Sequence, residues 1–303
     1  MPQFSRVDRF LATSLTLSFM IFGGCSQPPS LNQNQVNQDS TFNILSKKNK
    51  PIVKPTISPT IVEQNLIWHP KPGLAFDWVL SENLDMNNNS DVIDIDAFSA
   101  TKEQIAILHQ KGKKVIGYIS VGTLEEWAPD AKSFPLDVVG NNYTEWKGEK
   151  WLNVSNINKL APVILARLDM IKRKGFDAVE PDNIDGFQVD SSGFNISIDD
   201  EKKYCDWLIV EAHKRGLSIG LKNLPEFVAD YANKFDWMLT EGAYVDGWIN
   251  ETIPFIKNNK AVFVAEYTDT KVDFNTYCNN SLTNKFSLVL KNRNLGNWSK
   301  HCK

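Results

Sequence analysis

The sequence predicts a (β/α)8 barrel, and three observations carry that expectation. Eight apolar, β-rich runs recur through its last 240 or so residues, too many for their length to suit an open doubly wound sheet. Helical patterns lie between most of them, and three of these end in basic residues and a glycine: TKEQIAILHQKG, APVILARLDMIKRKG and DDEKKYCDWLIVEAHKRG. Such an ending stops a helix and suits its dipole. Polar residues then gather at the C-terminal ends of the runs, where this fold builds its sites.

Taken in order, the chain of 303 residues opens with Arg6 and Arg9 before an apolar run from Phe10 to Phe22, followed by GGCSQ. This is the pattern of an export signal with a lipoprotein cleavage site, and it makes Cys25 the lipid-modified first residue. A simple cleaved signal is the other reading. The run is too short to span a membrane. Ser26 in second place favours the outer membrane, where the cell has one, so residues 1–25 predict attachment to a cell-envelope membrane through the lipid. Residues 26–65 are rich in Gln, Asn, Ser and Pro and keep no hydrophobic period, which predicts a disordered tether. The folded domain is expected over residues 66–303, as a monomer.

Its strands are expected at LAFDWVL (74–80), VIDIDAF (92–98), KVIGYIS (114–120), FDAVEPD (176–182), LSIGLKN (217–223), WMLTEGA (237–243), AVFVAEY (261–267) and FSLVLKN (286–292). Composition is that of an ordinary soluble protein, with 42% apolar and 23% charged residues. A net charge of −3 argues against a nucleic-acid partner. No glycine-rich loop follows the first strand, which argues against a dinucleotide. With four His and no ligand spacing among the cysteines, no metal site or cofactor is expected. In an exported protein Cys278 and Cys302 are candidates for a disulfide that pins the C-terminus, and Cys205 for a buried thiol.

The stretch GFDAVEPDNIDGF (175–187) concentrates the functional signal. Alternate strand residues share a face, so Ala178, Glu180 and Asp182 point one way and Asp177, Val179 and Pro181 the other. Two carboxylates on one buried face repel, and burial without a use is costly. Elsewhere, Ile93 and Ile95 suit the helix-facing side, which turns Asp94 and Asp96 inward. Val262, Val264 and Glu266 share a face that is also read as inward. Ser120, Asn183, Lys222, Asn223, Glu241 and Tyr267 complete the strand ends. Six inward carboxylates around one mouth exceed what barrel packing requires. An acidic mouth without metal ligands or a nucleophilic Ser or Cys suits glycoside hydrolysis, in which one carboxyl protonates the leaving oxygen and a second attacks the sugar or activates water. Its charge also suits a cationic substrate such as an amino sugar.

The motifs YISVGTLEEWAPDA (118–131), WLNVS (151–155), ARLDMIKRKGFDAVEPDNIDGF (166–187), GLSIGLKN (216–223), FDWMLTEGA (235–243) and VFVAEY (262–267) resemble glycoside hydrolase family 114. The resemblance implies a (β/α)8 endo-α-1,4-polygalactosaminidase acting on a partly deacetylated galactosamine polysaccharide. It implies Asp182 and Glu241 as the catalytic pair. By analogy with other α-retaining barrels, Asp182 is the nucleophile and Glu241 the acid/base. Substrate contacts are expected from Asp94, Asp96, Tyr118, Glu125, Trp127, Glu180, Asn183, Asp185, Lys222, Asn223, Glu266 and Tyr267. The chain departs from the family pattern at Leu124, Ala128 and Ala243, which bears on the polymer more than on the reaction. Blander readings stand beside these. Asp182 is also placed to cap a helix and Glu241 to pair with Lys222. Glu266 is the rival catalytic acid, Lys222 an orienting group or a Schiff-base former, and Trp78 and Trp127 sugar platforms or packing. A sugar-binding lipoprotein without turnover is the alternative to the enzyme.

Overall fold

The computed structural model describes residues 67–80, 84–144 and 146–302. The export signal, Cys25 and the tether lie outside them. In chain order the elements are β1 (Phe76–Val79), β2 (Val92–Asp96), α1 (Lys102–Gln110), β3 (Lys114–Ser120), β4 (Thr123–Glu125), β5 (Val139–Asn142), β6 (Glu149–Leu152), α2 (Ile157–Lys174) and β7 (Ala178–Asp182). They continue with α3 (Ile198–Lys214), β8 (Ser218–Lys222), α4 (Val228–Tyr231), β9 (Trp237–Glu241), α5 (Ile253–Lys257), β10 (Val262–Tyr267), α6 (Phe274–Asn284), β11 (Ser287–Lys291) and β12 (Ser299–His301). All eight strand runs read from the sequence are strands.

Those eight pair in parallel in the order β1-β2-β3-β7-β8-β9-β10-β11. The helix stops hold as well: α2 ends at Gly175, whose φ of +97° suits a residue without Cβ, and its N–H closes on Ile171 and Lys172. Thr101 with Gln104, and Ser197 with Asp200, form reciprocal capping pairs that start α1 and α3. Inside the ring, Phe76, Ile116, Trp237, Leu239 and Phe263 fill the space, with Phe76 stacked on Phe263 at 4.4 Å. Gly220 is required there, because a Cβ would fall 2.4 Å from the Trp237 indole. A second core lies between strands and helices, led by Ile93, Ile119, Val179, Leu221 and Val264.

The ring is nearly closed. Between β11 and β1 the seam is held by side chains: Lys291 meets the Asp77 carboxylate at 2.8 Å and donates to the Gly296 carbonyl, and Ser299 Oγ donates to Asp77 at 3.0 Å. β12 adds to β11 antiparallel at this seam. Cys278 of α6 is bonded to Cys302 just past β12, so the disulfide ties the seam strand to the last helix. Replacing both cysteines by serine is expected to cost about 3 kcal/mol of stability, from the entropy of the 24-residue loop. Denaturant melts of the wild type with and without reductant check this; an unchanged midpoint on reduction contradicts it. Among the described residues no helix is long and apolar enough to cross a membrane.

Candidate active site

A cavity of about 730 Å³ opens at the C-terminal ends of the strands. Three neighbouring strands deliver its central groups through the same local device. Asn183, Asn223 and Gly242 each follow a strand and take positive φ (+61°, +50° and +66°), turning the chain away just past Asp182, Lys222 and Glu241. Asparagine tolerates that conformation better than other side chains, which explains its place at two of the turns. Gly122 completes the packing: a Cβ there would fall 1.5 Å from the Asn183 carbonyl oxygen.

Lys222 is the hub. Its Nζ lies 2.8 Å from Glu180 Oε1, 2.9 Å from Asp182 Oδ1 and 3.2 Å from Glu241 Oε2, and sits over the Trp78 ring. Trp78 Nε1 donates to Glu180 at 3.1 Å. Burial works against the ammonium, but Asp182, Glu180 and Glu241 outweigh it and hold the Lys222 pKa well above its ordinary value. That charge state suits an orienting cation and leaves no neutral amine for a Schiff base. Burial likewise works to raise the Glu241 pKa. Lys222, the Tyr267 hydroxyl and the Asn223 amide overcome it, so Glu241 stands below the usual carboxylate range. Glu241 N donates to Asn223 Oδ1 at 2.8 Å, fixing the strand ends to each other. Asp182 also accepts from the Asn183 N–H at 2.9 Å.

Of the residues expected from the sequence, Asp96, Tyr118, Glu125, Trp127, Asp182, Asn183, Asp185, Lys222, Asn223, Glu241 and Tyr267 line the cavity, as does Trp78. Asp94, Glu180 and Glu266 do not, and this corrects their expected role as substrate contacts. Asp94 and Glu180 point inward but are fully buried, and neither oxygen of Asp94 has a donor partner among the described residues. Burial raises both pKa values, and the neighbouring Glu180 raises that of Asp94 further. The inward aim read for Glu266 is wrong. On β10 Phe263, Ala265 and Tyr267 face the interior, and Val262, Val264 and Glu266 face the helices. Parallel strands are apolar on both faces, so alternation alone gave no sign of which face was which.

Glu266 instead accepts from the Tyr244 N–H at 2.8 Å and holds the loop that follows Glu241. Burial lifts its pKa to about 7. Its folded pKa exceeds the unfolded one, so as a proton must be lost it destabilises the fold increasingly as pH rises from about 4.5 to 7. Glu266→Gln keeps an acceptor for Tyr244 and is expected to retain turnover within about tenfold while gaining stability at pH 8 relative to pH 5. A variant that is inactive but folded would restore Glu266 as the catalytic acid.

Sequence reasoning missed Glu149, Tyr143, Trp146 and Arg293, which also line the cavity. The first three belong to an insertion after β3 in which β4, β6 and β5 form a small antiparallel sheet. Arg167 of α2 braces it, making two bonds to Asp130 (2.9 and 2.7 Å) and one to the Ser120 carbonyl (2.6 Å). The only sequence signal was the alternation of Glu149 and Trp151 in GEKWL.

Comparison with known proteins agrees with this geometry. The sequence model of glycoside-hydrolase family GH114 matches residues 58–303. The crystal structure of Aspergillus fumigatus Ega3 in complex with galactosamine is 34% identical, with a TM-score of 0.73 over 78% of this chain and 98% of that one. The glycoside hydrolase domain of PelA from Pseudomonas aeruginosa shares the fold at 11% identity, with a TM-score of 0.61 over 75% of this chain and 98% of that one. Among curated protein sequences none matches. The cavity thus sits on a fold and a sequence pattern that agree, and the chain belongs to glycoside-hydrolase family GH114 and is a glycosidase.

Proposed function

We propose that this chain is an endo-acting glycosidase that cleaves α-1,4-linked, galactosamine-containing polysaccharide with Asp182 and Glu241 as its catalytic carboxyls. One observation carries the reading: both carboxyls line the cavity and share Lys222. Oxygens 2.9 and 3.2 Å from one nitrogen lie at most about 6 Å apart, so the two carboxyls are close enough to work as a glycosidase pair. The sugar class rests on Ega3, a relative whose crystal holds galactosamine.

In this mechanism Asp182 attacks the anomeric carbon while Glu241 gives its proton to the leaving oxygen; Glu241 then takes a proton from the water that releases the sugar. Lys222 donates to Asp182 and holds it in place. Because Lys222 also depresses the Glu241 pKa, only the fraction with Glu241 protonated is competent, so kcat/KM falls as pH rises through that lowered pKa. An acidic optimum follows. Mass spectrometry of products from partly deacetylated α-1,4-galactosamine polymer is the test. Mixed oligomers that appear first as the α anomer by NMR support the reading. Binding without release leaves a sugar-binding barrel.

Lipid attachment at Cys25 puts the enzyme on the cell envelope, and the Cys278–Cys302 disulfide suits such an oxidising compartment. Cys25→Ser is expected to release the protein from membranes or block its processing. A variant that is cut normally and stays with membranes contradicts the anchor.

A further inference from the structure

The two oxygens of Glu241 are held by different groups. Oε2 faces Lys222 and Asn223, whereas Oε1 accepts from the Tyr267 hydroxyl. Over the face of that phenol lies Arg293, its guanidinium carbon 3.6 Å from the ring centroid. Asp269 fixes the guanidinium through two bonds, from Nε at 3.1 Å and from Nη2 at 2.9 Å. A chain of contacts results: Asp269 holds Arg293, Arg293 covers Tyr267, and Tyr267 donates to Glu241.

The backbone sets Arg293 in this place. The Leu295 N–H donates to the Asn292 carbonyl at 2.9 Å, closing a turn just past β11 that carries Arg293. The Thr268 N–H donates to the Lys291 carbonyl at 3.0 Å, and Thr268 Oγ1 to Asn292 Oδ1 at 2.8 Å, so this turn and the end of β10 are fixed to each other. Fold stability gives the ion pair little purpose. The Arg293 and Asp269 side chains are 47% and 53% exposed, and a pair so exposed contributes little. Tyr267 beneath it is buried, and its hydroxyl is aimed at a carboxyl of the cavity.

We propose that Arg293 is a positioning residue for the cleavage step, acting through Tyr267: the stacked guanidinium holds the ring in place and strengthens its hydroxyl as the donor to Glu241. A cation over the face of a phenol draws on its electron density, and a more acidic hydroxyl makes a stronger bond to a carboxylate. Asp269 offsets the guanidinium charge at a distance, so the influence reaches Glu241 mainly through the ring. Burial and Glu241 raise the Tyr267 pKa, and Lys222 and Arg293 work against them. Against burial, Lys222 and then the Tyr267 hydroxyl hold Glu241 below the usual carboxylate range. The charged and titratable groups gathered about Glu241 and Lys222 are Glu180 and Asp182 on β7, Tyr267 on β10 and Arg293 beyond β11. The inference rests on Glu241 as the acid/base of the reaction proposed above.

The experiment measures kcat and KM across pH on a deacetylated α-1,4-galactosamine oligomer for the wild type, Arg293→Met, Arg293→Lys, Tyr267→Phe and Arg293→Met/Tyr267→Phe. Arg293→Met is expected to lower kcat about 5–30-fold, the scale of a cation–π contact, with KM little changed. Its Glu241 anion is held less firmly, so the Glu241 pKa rises and the falling limb of kcat/KM moves to higher pH. Arg293→Lys keeps a cation over the ring and should restore part of both. In the Tyr267→Phe background Arg293→Met should change neither further, because the link to Glu241 is already cut. An unmoved limb, or an effect of Arg293→Met that is as large without the Tyr267 hydroxyl, overturns the proposal. A raised KM at unchanged kcat overturns it too, and makes Arg293 a substrate contact. Carbon-13 NMR titration of the Glu241 carboxyl, assigned by its loss in Glu241→Gln, reads the same link without turnover. A Glu241 pKa higher in Arg293→Met than in the wild type supports the link, and an equal one contradicts it. If Glu241→Gln cleaves the oligomer normally, the acid assignment fails instead, and the titration still decides whether Arg293 acts on Glu241.

Discussion

Asp182→Asn and Glu241→Gln are expected to be nearly inactive on polymer and to part company on an activated aryl α-galactosaminide. On polymer the leaving group is a sugar alkoxide, which departs only with a proton. Loss of the acid therefore costs about 10²–10⁴-fold in kcat. A dinitrophenolate leaves without one, so under the proposed roles Glu241→Gln regains the first step, and azide then replaces the water that Glu241 would activate. Asp182→Asn gains nothing from either change, because the amide cannot form the bond to the sugar carbon. The amide oxygen at 182 still accepts from Lys222 and the Asn183 N–H, and the one at 241 still accepts from Tyr267 while the contacts of the second Glu241 oxygen with Lys222 and Asn223 are given up. Unfolding does not explain such a difference. If azide rescues Asp182→Asn and leaves Glu241→Gln dead, the two roles are exchanged. Normal turnover by both variants on polymer removes the pair from catalysis.

What the sequence disclosed follows from how periodicity reports burial. Strand positions were legible because parallel strands read as unbroken apolar runs, and the helix stops because glycine alone relieves a positive φ at Gly175. On β2 and β7 polar residues mark one face, so Asp94, Asp96, Glu180 and Asp182 could be aimed correctly. On β10 both faces are apolar, and Glu266 was aimed at the wrong one. Depth was not legible at all. Period two places Glu180 and Asp182 on one side, but it cannot say that one supports the floor and the other lines the cavity. Glu149 escaped for a different reason, since it is brought to the cavity by long-range pairing of β6 with β4 rather than by any strand of the barrel.

The larger effect on the fold is expected from Lys222→Met, which should cost about 3–5 kcal/mol, as removal of one partner from a buried ion pair does. Three carboxylates lose their common cation, but not equally. Asp182 and Glu241 keep access to the cavity, where water can replace the ammonium, whereas Glu180 is fully buried and retains only the Trp78 Nε1 donor. Its pKa, already raised by burial, then rises further because the lowering influence of Lys222 is gone. The folded variant binds a proton at Glu180 that the unfolded chain releases above about pH 4.5, so its stability declines as pH rises from there toward the new folded value. The deficit relative to wild type should therefore be small near pH 5 and large at pH 8. Adding Glu180→Gln removes the stranded charge and should recover a substantial part of the loss at pH 8 while recovering little at pH 5. Urea melts of the wild type, Lys222→Met and Lys222→Met/Glu180→Gln at the two pH values measure both. A deficit of equal size at pH 5 and pH 8, untouched by Glu180→Gln, would mean that Lys222 stabilises by packing on Trp78 and not by neutralising the acids beneath the proposed catalytic pair.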